Sequence, residues 1–305
     1  MKFGFVTFYS EQIVKFAAGA GFDGLELFVD SGSNLDLDKM SNDDIERLNH
    51  GLNDAGLSVT TISCNPVHLD GDPIKRAENT AYFKKAIKSC RRFGADIVVT
   101  GAFADRSISP YENIKAYKQV FTKYAEMADA EGVRIAIENC PHWLWYPTSV
   151  GNIAFSPEMW DAMFDTVPSN AIGLELDPSH LVWQGIDYIK AIKDYGNRLY
   201  AFHAKDTEMR SDGRNRYGVI GKQIGKESEW DAGWWRYRIP GFGDIDWKGV
   251  FNALYEVDYT GPMIIEHEDP VFGGDRSENG LNLGPSSEKG LVLGLRYLKD
   301  LDIFK

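Results

Sequence analysis

Short apolar runs alternate along the chain with longer stretches in which apolar residues recur every three or four positions. Runs such as DIVVTG, VRIAIE and GPMIIE are nearly continuous, which is typical of parallel strands that are buried on both faces. The stretches Ile74–Phe93 and Pro110–Glu131 have helical spacing and end before Gly94 and Gly132, which suit helix termini. The pattern therefore predicts strands and helices in regular alternation.

The alternation contains eight strand–helix units. The strands that it predicts are Phe3–Phe8, Asp23–Phe28, Leu57–Ser63, Asp96–Gly101, Val133–Glu138, Ile172–Asp177, Arg198–His203 and Gly261–Glu266. Eight such units close into a (β/α)8 TIM barrel, an α/β fold in which all strands end at one rim, where active sites lie. No break in composition indicates a second domain, so we expect residues 1–305 to form one barrel.

One predicted connection is longer than the others. Residues 204–246, between the seventh and eighth strands, are rich in Gly, Arg and Trp. Long connections in compact proteins usually cover an active site or bind a partner. We therefore predict that Ala204–Asp246 is an inserted loop that serves as a lid or a partner surface.

Composition narrows the choice of ligand and compartment. With 33 basic and 45 acidic residues the chain has a net charge of −12, which disfavours binding to nucleic acid and leaves a small sugar or glycoside as the better ligand. Cys64, Cys90 and Cys140 are too scattered for a disulfide framework, which favours a reducing cytoplasm. The first apolar run is too short for a signal peptide, and no run approaches the roughly 18 residues that span a membrane. We expect a cytoplasmic protein.

Four predicted strand ends carry residues of the types that bind metal ions. Strands five to eight end in Glu138, Asp177, His203 and Glu266. A single acid at such a place usually caps a helix, but three carboxylates at one rim repel one another unless they share a cation. Three carboxylates and one imidazole favour Mn²⁺, with Mg²⁺, Co²⁺ and Zn²⁺ as alternatives.

The ordered motifs IEN, LDPSH, HAKD and IEHED on strands five to eight resemble the sugar phosphate isomerase/epimerase superfamily, the xylose isomerase-like barrels. This group includes ketose 3-epimerases and inosose-processing enzymes. The resemblance implies one divalent metal at the four residues named above and a substrate contact from His180. The sequence departs from the ketose 3-epimerases at Leu144, where they carry a substrate-binding Glu, and this argues against a simple free ketose.

Two residues beside these ligands are candidates for catalysis. His180 lies three residues after Asp177 and is suited to hydrogen-bond a substrate oxygen or polarise a carbonyl. Lys205 lies two residues after His203 and is suited to stabilise an enolate oxygen. The structural alternatives are a helix cap for His180 and a solvated ammonium for Lys205.

Aromatic residues and arginines surround the predicted rim. The segment ENCPHWLWYP places His142, a candidate base, beside aromatic side chains that can stack on a sugar. The candidate substrate-binding residues are Trp143, Trp145, Trp183, Arg236 and Arg238. The arginines are suited to grip a carboxylate, phosphate or phenolate. The alternatives are packing of the tryptophans under a loop and pairing of the arginines with acids.

The WRYR, PGFGDIDW and IEHEDP segments resemble a subgroup that acts on oxidised glycosides. This subgroup includes the large subunits of C-glycoside deglycosidases, which work with a small partner chain.

Two enzymatic functions remain open at this stage. The first is a metal-dependent isomerase or epimerase of a ketose, inosose or related keto-sugar, in which Glu138 and Glu266 exchange a proton through an enediolate. The second is a lyase that enolises a 3-oxo-glycoside and releases the aglycone by β-elimination, with His142 or a Glu as base. A non-catalytic sugar-binding barrel and a DNA-repair endonuclease are less favoured. A homo-oligomer or a small partner subunit is compatible with either enzyme.

Overall fold

Eight parallel strands close into a barrel in the computed structural model, which describes residues 1–145, 148–221, 223, 231–274, 276–277, 280–281 and 284–302. The strands are β1 (Lys2–Thr7), β2 (Gly24–Phe28), β3 (Ser58–Ser63), β4 (Ile97–Thr100), β5 (Arg134–Glu138), β6 (Ile172–Leu176), β7 (Leu199–Ala204) and β8 (Pro262–Ile265). They follow one another around the barrel in chain order, and β1 pairs with β8 to close it. The predicted (β/α)8 fold is confirmed, and no strand end differs from the prediction by more than one residue.

Helices connect the strands around the outside of the barrel. They are α1 (Glu11–Ala20), α2 (Asn42–Asp54), α3 (Pro73–Ser89), α4 (Pro110–Glu131), α5 (Pro157–Thr166), α6 (Pro178–Gln184), α7 (Tyr188–Asp194), α8 (Ser211–Tyr217), α9 (Trp247–Glu256) and α10 (Pro285–Leu301). Ser10, Ser41 and Ser109 cap α1, α2 and α4 by accepting backbone N–H bonds. None of the helices in the described part of the chain is long and apolar enough to cross a membrane.

Two short helices follow β6. The chain forms α6 first and then α7. Asp177 caps α6 and Pro178 occupies its first turn, where a missing N–H costs nothing. Gly185 ends α6 with a φ of 75°, in the left-handed region that glycine favours. The short helix therefore begins at a residue of the predicted metal site.

The long connection after β7 has its own structure. An antiparallel pair of strands, Asp206–Met209 and Trp235–Arg238, flanks α8 within it. The buried carboxylate of Asp206 accepts hydrogen bonds from the backbone N–H groups of Thr207, Gly241 and Ile245 and from the indole of Trp247. These bonds attach both ends of the segment, which we call the insert (residues 204–246), to the barrel.

Two interruptions of regular strand pairing occur in the barrel. The register between β2 and β3 shifts between Leu25 and Glu26, and that between β6 and β7 shifts between Leu174 and Glu175. Such irregularities turn side chains to new directions and are common next to active sites. In both cases the residue that follows the shift is a glutamate with no exposed surface.

Gly24 at the start of β2 tests how tightly the strands pack. A β-carbon there would press against the backbone carbonyl of Ser58, whereas Gly19 in α1 has open space around it. We expect Gly24→Ala to lower the free energy of unfolding by about 1–3 kcal/mol because backbone must move. Gly19→Ala, the matched control, should raise it by about 0.5–1 kcal/mol. Urea unfolding followed by circular dichroism measures both values, and equal effects of the two changes would contradict the packing.

Candidate metal centre and active site

The four predicted metal ligands converge at the carboxyl ends of β5 to β8. One ligand atom from each of Glu138, Asp177, His203 and Glu266 can be chosen so that all lie within 4.8 Å of one another. The Nδ1 atom of His203 lies 3.2 Å from Oε1 of Glu138 and 3.4 Å from Oε2 of Glu266. Residues up to 128 positions apart meet here because parallel strands end at a common rim.

Two asparagines fix the backbone around these ligands. Asn139 donates to the carbonyl of Asp177 at 2.9 Å and accepts from its N–H at 2.7 Å, so β5 and β6 are held together beyond their ends. Asn152 donates to the carbonyl of Glu138 at 2.8 Å. Asp177 itself accepts from the N–H of Ser179 at 2.8 Å through Oδ1, which leaves Oδ2 directed to the centre. The sequence carries no clear signal for the role of either asparagine, although Asn139 belongs to the IEN motif.

Lys205 lies inside this group rather than in solvent. Its side chain is 1% exposed, and Nζ lies 3.1 Å from Asp177, 2.5 Å from Glu266 and 2.9 Å from Glu268. The ammonium also lies 4.4 Å from the centre of the Tyr237 ring. Burial lowers the pKa of Lys205, but the three carboxylates outweigh burial and raise this pKa well above its ordinary value. The ammonium is therefore charged at neutral pH and compensates the acids.

His180 is buried beside the same carboxylates. Its Nε2 atom lies 3.3 Å from Asp177 and 3.6 Å from Glu138, and its Nδ1 atom lies 2.8 Å from the hydroxyl of Tyr237. Burial lowers the pKa of His180, but contacts with Cys140 and Asp177 raise it overall to about 10. The raised pKa favours the protonated imidazole, whose Nε2 faces Asp177 and Glu138.

The donor set fits a divalent cation. Oδ2 of Asp177 is fully buried and forms no regular hydrogen bond in the described part of the chain. Burial lowers the pKa of His203, but Glu175 and Glu266 outweigh it and raise this pKa well above its usual value. Burial and Glu266 raise the pKa of Glu138, but hydrogen bonds from His180 and His203 lower it overall. The unpartnered oxygen of Asp177 and the raised pKa of His203 indicate negative charge at this centre, which a cation held by carboxylates and imidazole would neutralise.

An apolar cavity lies between the segments that follow β5 and β6 and the insert. It has a volume of about 380 Å³, within the range of small-molecule sites, and Trp183, in its lining, stacks on Trp235 with ring centres 5.2 Å apart. Its apolar lining includes Pro141, Trp143, Phe155, Val182, Trp183 and Trp234. Trp143 and Trp183 thus line one cavity, and their role in substrate binding stays a prediction. The Trp145 side chain lies outside the described residues.

His142 has an unusual backbone conformation. Its φ is 47°, a left-handed value that is uncommon for residues other than glycine, and its ring packs edge-on against Phe103 at 4.6 Å. Surrounding protein atoms lower the pKa of His142, although the residue keeps exposed surface, and the charge of Glu138 opposes this shift. A lowered pKa favours the neutral imidazole at pH 7, and the role of His142 as a base stays a prediction.

Arg236 and Arg238 are engaged with acidic side chains. Arg236 donates to Glu208 at 2.8 Å, and Arg238 donates to Asp269 at 3.0 Å and also pairs with Glu208. The alternative of pairing with acids therefore describes their position in this structure. Their role in substrate binding stays a prediction.

The similarity of this chain to known proteins identifies its family. The family model described as "Xylose isomerase-like TIM barrel" matches residues 14–301. The chain belongs to this family. The resemblance found in the sequence motifs is thereby confirmed.

Several curated relatives of this chain are inosose dehydratases. An inosose dehydratase of Clostridium perfringens (strain 13 / Type A) is 24% identical over 174 residues, and the match spans 57% of this chain and 54% of that protein. This chain therefore matches about half the length of the first curated relatives. The uncharacterized protein YfiH of Bacillus subtilis (strain 168) is 26% identical over 290 residues, covering 85% and 88% of the two chains.

Solved structures share the fold over the whole chain. D-psicose 3-epimerase with D-tagatose from Clostridium cellulolyticum H10 has a TM-score of 0.72 at 16% identity, with 99% of both chains covered. The 3-keto-D-glucoside 4-epimerase YcjR from E. coli has a TM-score of 0.69 at 14% identity, covering 98% of this chain and 99% of that one. An IOLI protein with a bound zinc atom has a TM-score of 0.67 at 19% identity, covering 99% and 97%.

Asp177 provides a direct test of the metal centre. Asp177→Asn keeps the oxygen that caps α6 but removes the carboxylate charge. We expect the affinity for Mn²⁺ to fall by more than about 100-fold, beyond what is typical when a residue that only supports a ligand is changed. Asp187→Asn is the matched control because Asp187 caps α7 in the same way at the surface. Calorimetric titration measures both, and full affinity in Asp177→Asn would exclude Asp177 as a ligand.

Metal binding should depend on pH in a defined direction. Because the pKa of His203 is raised, its imidazole carries an additional proton at neutral pH, and a cation must displace this proton to reach Nδ1. Affinity for Mn²⁺ should therefore rise with pH between about pH 6 and 8, by up to tenfold per pH unit for each proton released. Titrations in buffers of different ionisation enthalpy count the protons. An affinity that is constant with pH would show that His203 is already deprotonated.

Proposed function

We propose that this protein is a divalent-metal-dependent isomerase or epimerase that acts on a ketose, inosose or related keto-sugar. The observation that carries the proposal is the pair Glu138 and Glu266, whose carboxylates flank Nδ1 of His203 at 3.2 and 3.4 Å. Two acids at one buried point can remove a proton from a substrate carbon and return it from another direction. The epimerases and dehydratases among the similar proteins support a sugar as the substrate.

The residues that hold the cation are Glu138, Asp177, His203 and Glu266, and Mn²⁺ is the cation that this donor set favours. When bound, a divalent cation lowers the pKa of the proton next to the substrate carbonyl. One of the two glutamates removes this proton, and the electron pair moves onto the carbonyl oxygen to give an enediolate. The other glutamate then returns a proton to carbon, so that the product is an epimer or isomer with unchanged composition.

Lys205 and His180 stabilise the oxygen that gains charge. The two groups share a hydrogen bond of 3.2 Å between Nζ of Lys205 and Nε2 of His180, and the pKa of each is raised. Fixed donors in a buried site need no reorganisation when negative charge develops. Tyr237 holds the other nitrogen of His180 and so fixes the direction of its donor.

A lyase is the second candidate, and the apolar cavity favours it. Trp143, Trp183 and Trp234 offer more planar surface than a bare sugar needs, and Leu144 is exposed where the ketose 3-epimerases carry a polar contact. In this reaction His142 or a glutamate removes the same proton, and the enolate expels a group from the neighbouring carbon. The departing group is an aglycone in a 3-oxo-glycoside or water in an inosose.

Proton exchange in D₂O distinguishes the two candidates. The Mn²⁺-loaded protein is incubated with free ketoses, inososes and 3-oxo-glucosides, and deuterium uptake is followed by NMR. Uptake with an intact carbon skeleton indicates an isomerase or epimerase, and loss of water or an aglycone indicates a lyase. If none of these substrates exchanges a carbon-bound proton, the proposed enolisation is wrong.

Variants of the three candidate bases assign the proton transfer. For an epimerase, Glu138→Gln and Glu266→Gln should each suppress exchange from one direction, by about 10²- to 10⁴-fold. For a lyase, His142→Ala should reduce turnover at least as much as either glutamine change. Glu256→Gln, at an exposed glutamate that pairs with Lys193, is the control. Full exchange in both Glu138→Gln and Glu266→Gln would show that neither carboxylate is the base.

A further inference from the structure

A second group of polar side chains lies inside the barrel, on the other side of His203 from the metal ligands. The Nε2 atom of His203 lies 3.2 Å from Glu175 and 3.6 Å from Glu26. Both glutamates have no exposed surface, and Glu26 is itself held by the hydroxyl of Thr61 at 2.6 Å. His203 therefore has acids against both ring nitrogens, since Nδ1 faces the metal site.

These atoms are not explained by the packing of the barrel. Nε2 of His203, both carboxylate oxygens of Glu175 and Oε1 of Glu26 form no regular hydrogen bond within the described part of the chain. Buried polar groups without partners are costly and rare in folded proteins. At nearby inner positions the barrel uses apolar side chains instead, such as Ala136 and Ala201, which pack in one cluster. Two buried acids at this depth therefore indicate a function.

The backbone supports the same conclusion. Glu26 and Glu175 each follow a register shift, one between β2 and β3 and the other between β6 and β7. Both side chains reach the His203 ring, although β2 and β6 lie far apart in the order of strands, and irregular pairing of this kind is common next to functional sites. No other shifts of register occur between the described barrel strands.

We propose that Glu175, supported by Glu26, is a positioning residue that orients the His203 ring for metal binding. A carboxylate that accepts a hydrogen bond from Nε2–H fixes both the tautomer and the rotation of the ring. The lone pair is then on Nδ1, the nitrogen that faces Glu138 and Glu266. Carboxylates that accept from the second nitrogen of a ligand histidine increase metal affinity in this way. The inference rests on the metal centre proposed above.

Two substitutions at Glu175 separate its hydrogen bond from its volume. Glu175→Gln keeps an acceptor oxygen at the same distance, and Glu175→Leu fills similar space without one. We expect Glu175→Leu to weaken Mn²⁺ binding by about 10- to 100-fold and Glu175→Gln to bind nearly as the parent protein does. Leu174→Ala, at the neighbouring buried position, is the control for a general loss of stability in β6. Glu175→Ser, too short to reach the ring, replaces the leucine variant if that variant does not fold.

A spectroscopic measurement tests the orientation independently of metal binding. Long-range ¹H–¹⁵N NMR spectra of histidine side chains report which ring nitrogen is protonated, and His203→Gln assigns the signal. In the Zn²⁺-loaded parent protein we expect the proton on Nε2, and in Glu175→Leu a mixture or loss of this state. Unchanged Mn²⁺ affinity and an unchanged His203 signal in Glu175→Leu would overturn the proposal.

The same experiments test the role of Glu175 separately from the metal centre on which it rests. If the parent protein binds no divalent cation, the metal centre is wrong, and the metal-free spectrum still shows whether Glu175 orients the ring. If the parent protein binds two cations and Glu175→Leu binds one, then Glu26, Glu175 and His203 hold a second cation, and the positioning role is overturned.

Discussion

The buried ammonium of Lys205 makes the concentration of acids at the barrel rim possible. Asp177, Glu266 and Glu268 all lie within 3.1 Å of it, and none of the four side chains is appreciably exposed. Carboxylates at this density repel one another strongly in a region from which water is excluded. A cation supplied by the chain itself holds them at fixed positions, so the geometry of the site does not depend on flexible surface groups.

The barrel explains why these residues meet at all. Glu266 and Glu268 directly follow β8 and both contact Lys205, and Asp177 directly follows β6, two residues after Glu175. In each pair one acid, Glu266 or Asp177, belongs to the candidate metal site. The other acid contacts a neighbouring side chain, Lys205 for Glu268 and His203 for Glu175. The rim then gains reactive groups without any change in the number or length of strands.

The features that the sequence predicts well are those with a local signature. Continuous apolar runs marked the eight strands, and a metal-binding residue at each of four successive strand ends marked the rim. Glu26 and Glu175 cannot be predicted in this way because an acid within an apolar run has no local signature, and their proximity to His203 depends on how distant strands meet across the barrel. Arg236 lies opposite Glu208 in the antiparallel pair of the insert, and only this pairing shows that the two form an ion pair.

The attachment of the insert has a consequence for evolution within this family. Asp206 holds the insert through backbone N–H groups of Thr207, Gly241 and Ile245 and through the indole of Trp247. None of these donors belongs to the segment between Arg210 and Trp234, which carries part of the cavity wall. Changes among the cavity residues of that segment, such as Arg214 and Val219, therefore leave the bonds that fix the chain next to Lys205 unchanged. The shape of the cavity and the acids of the rim are in this way free to change at different rates.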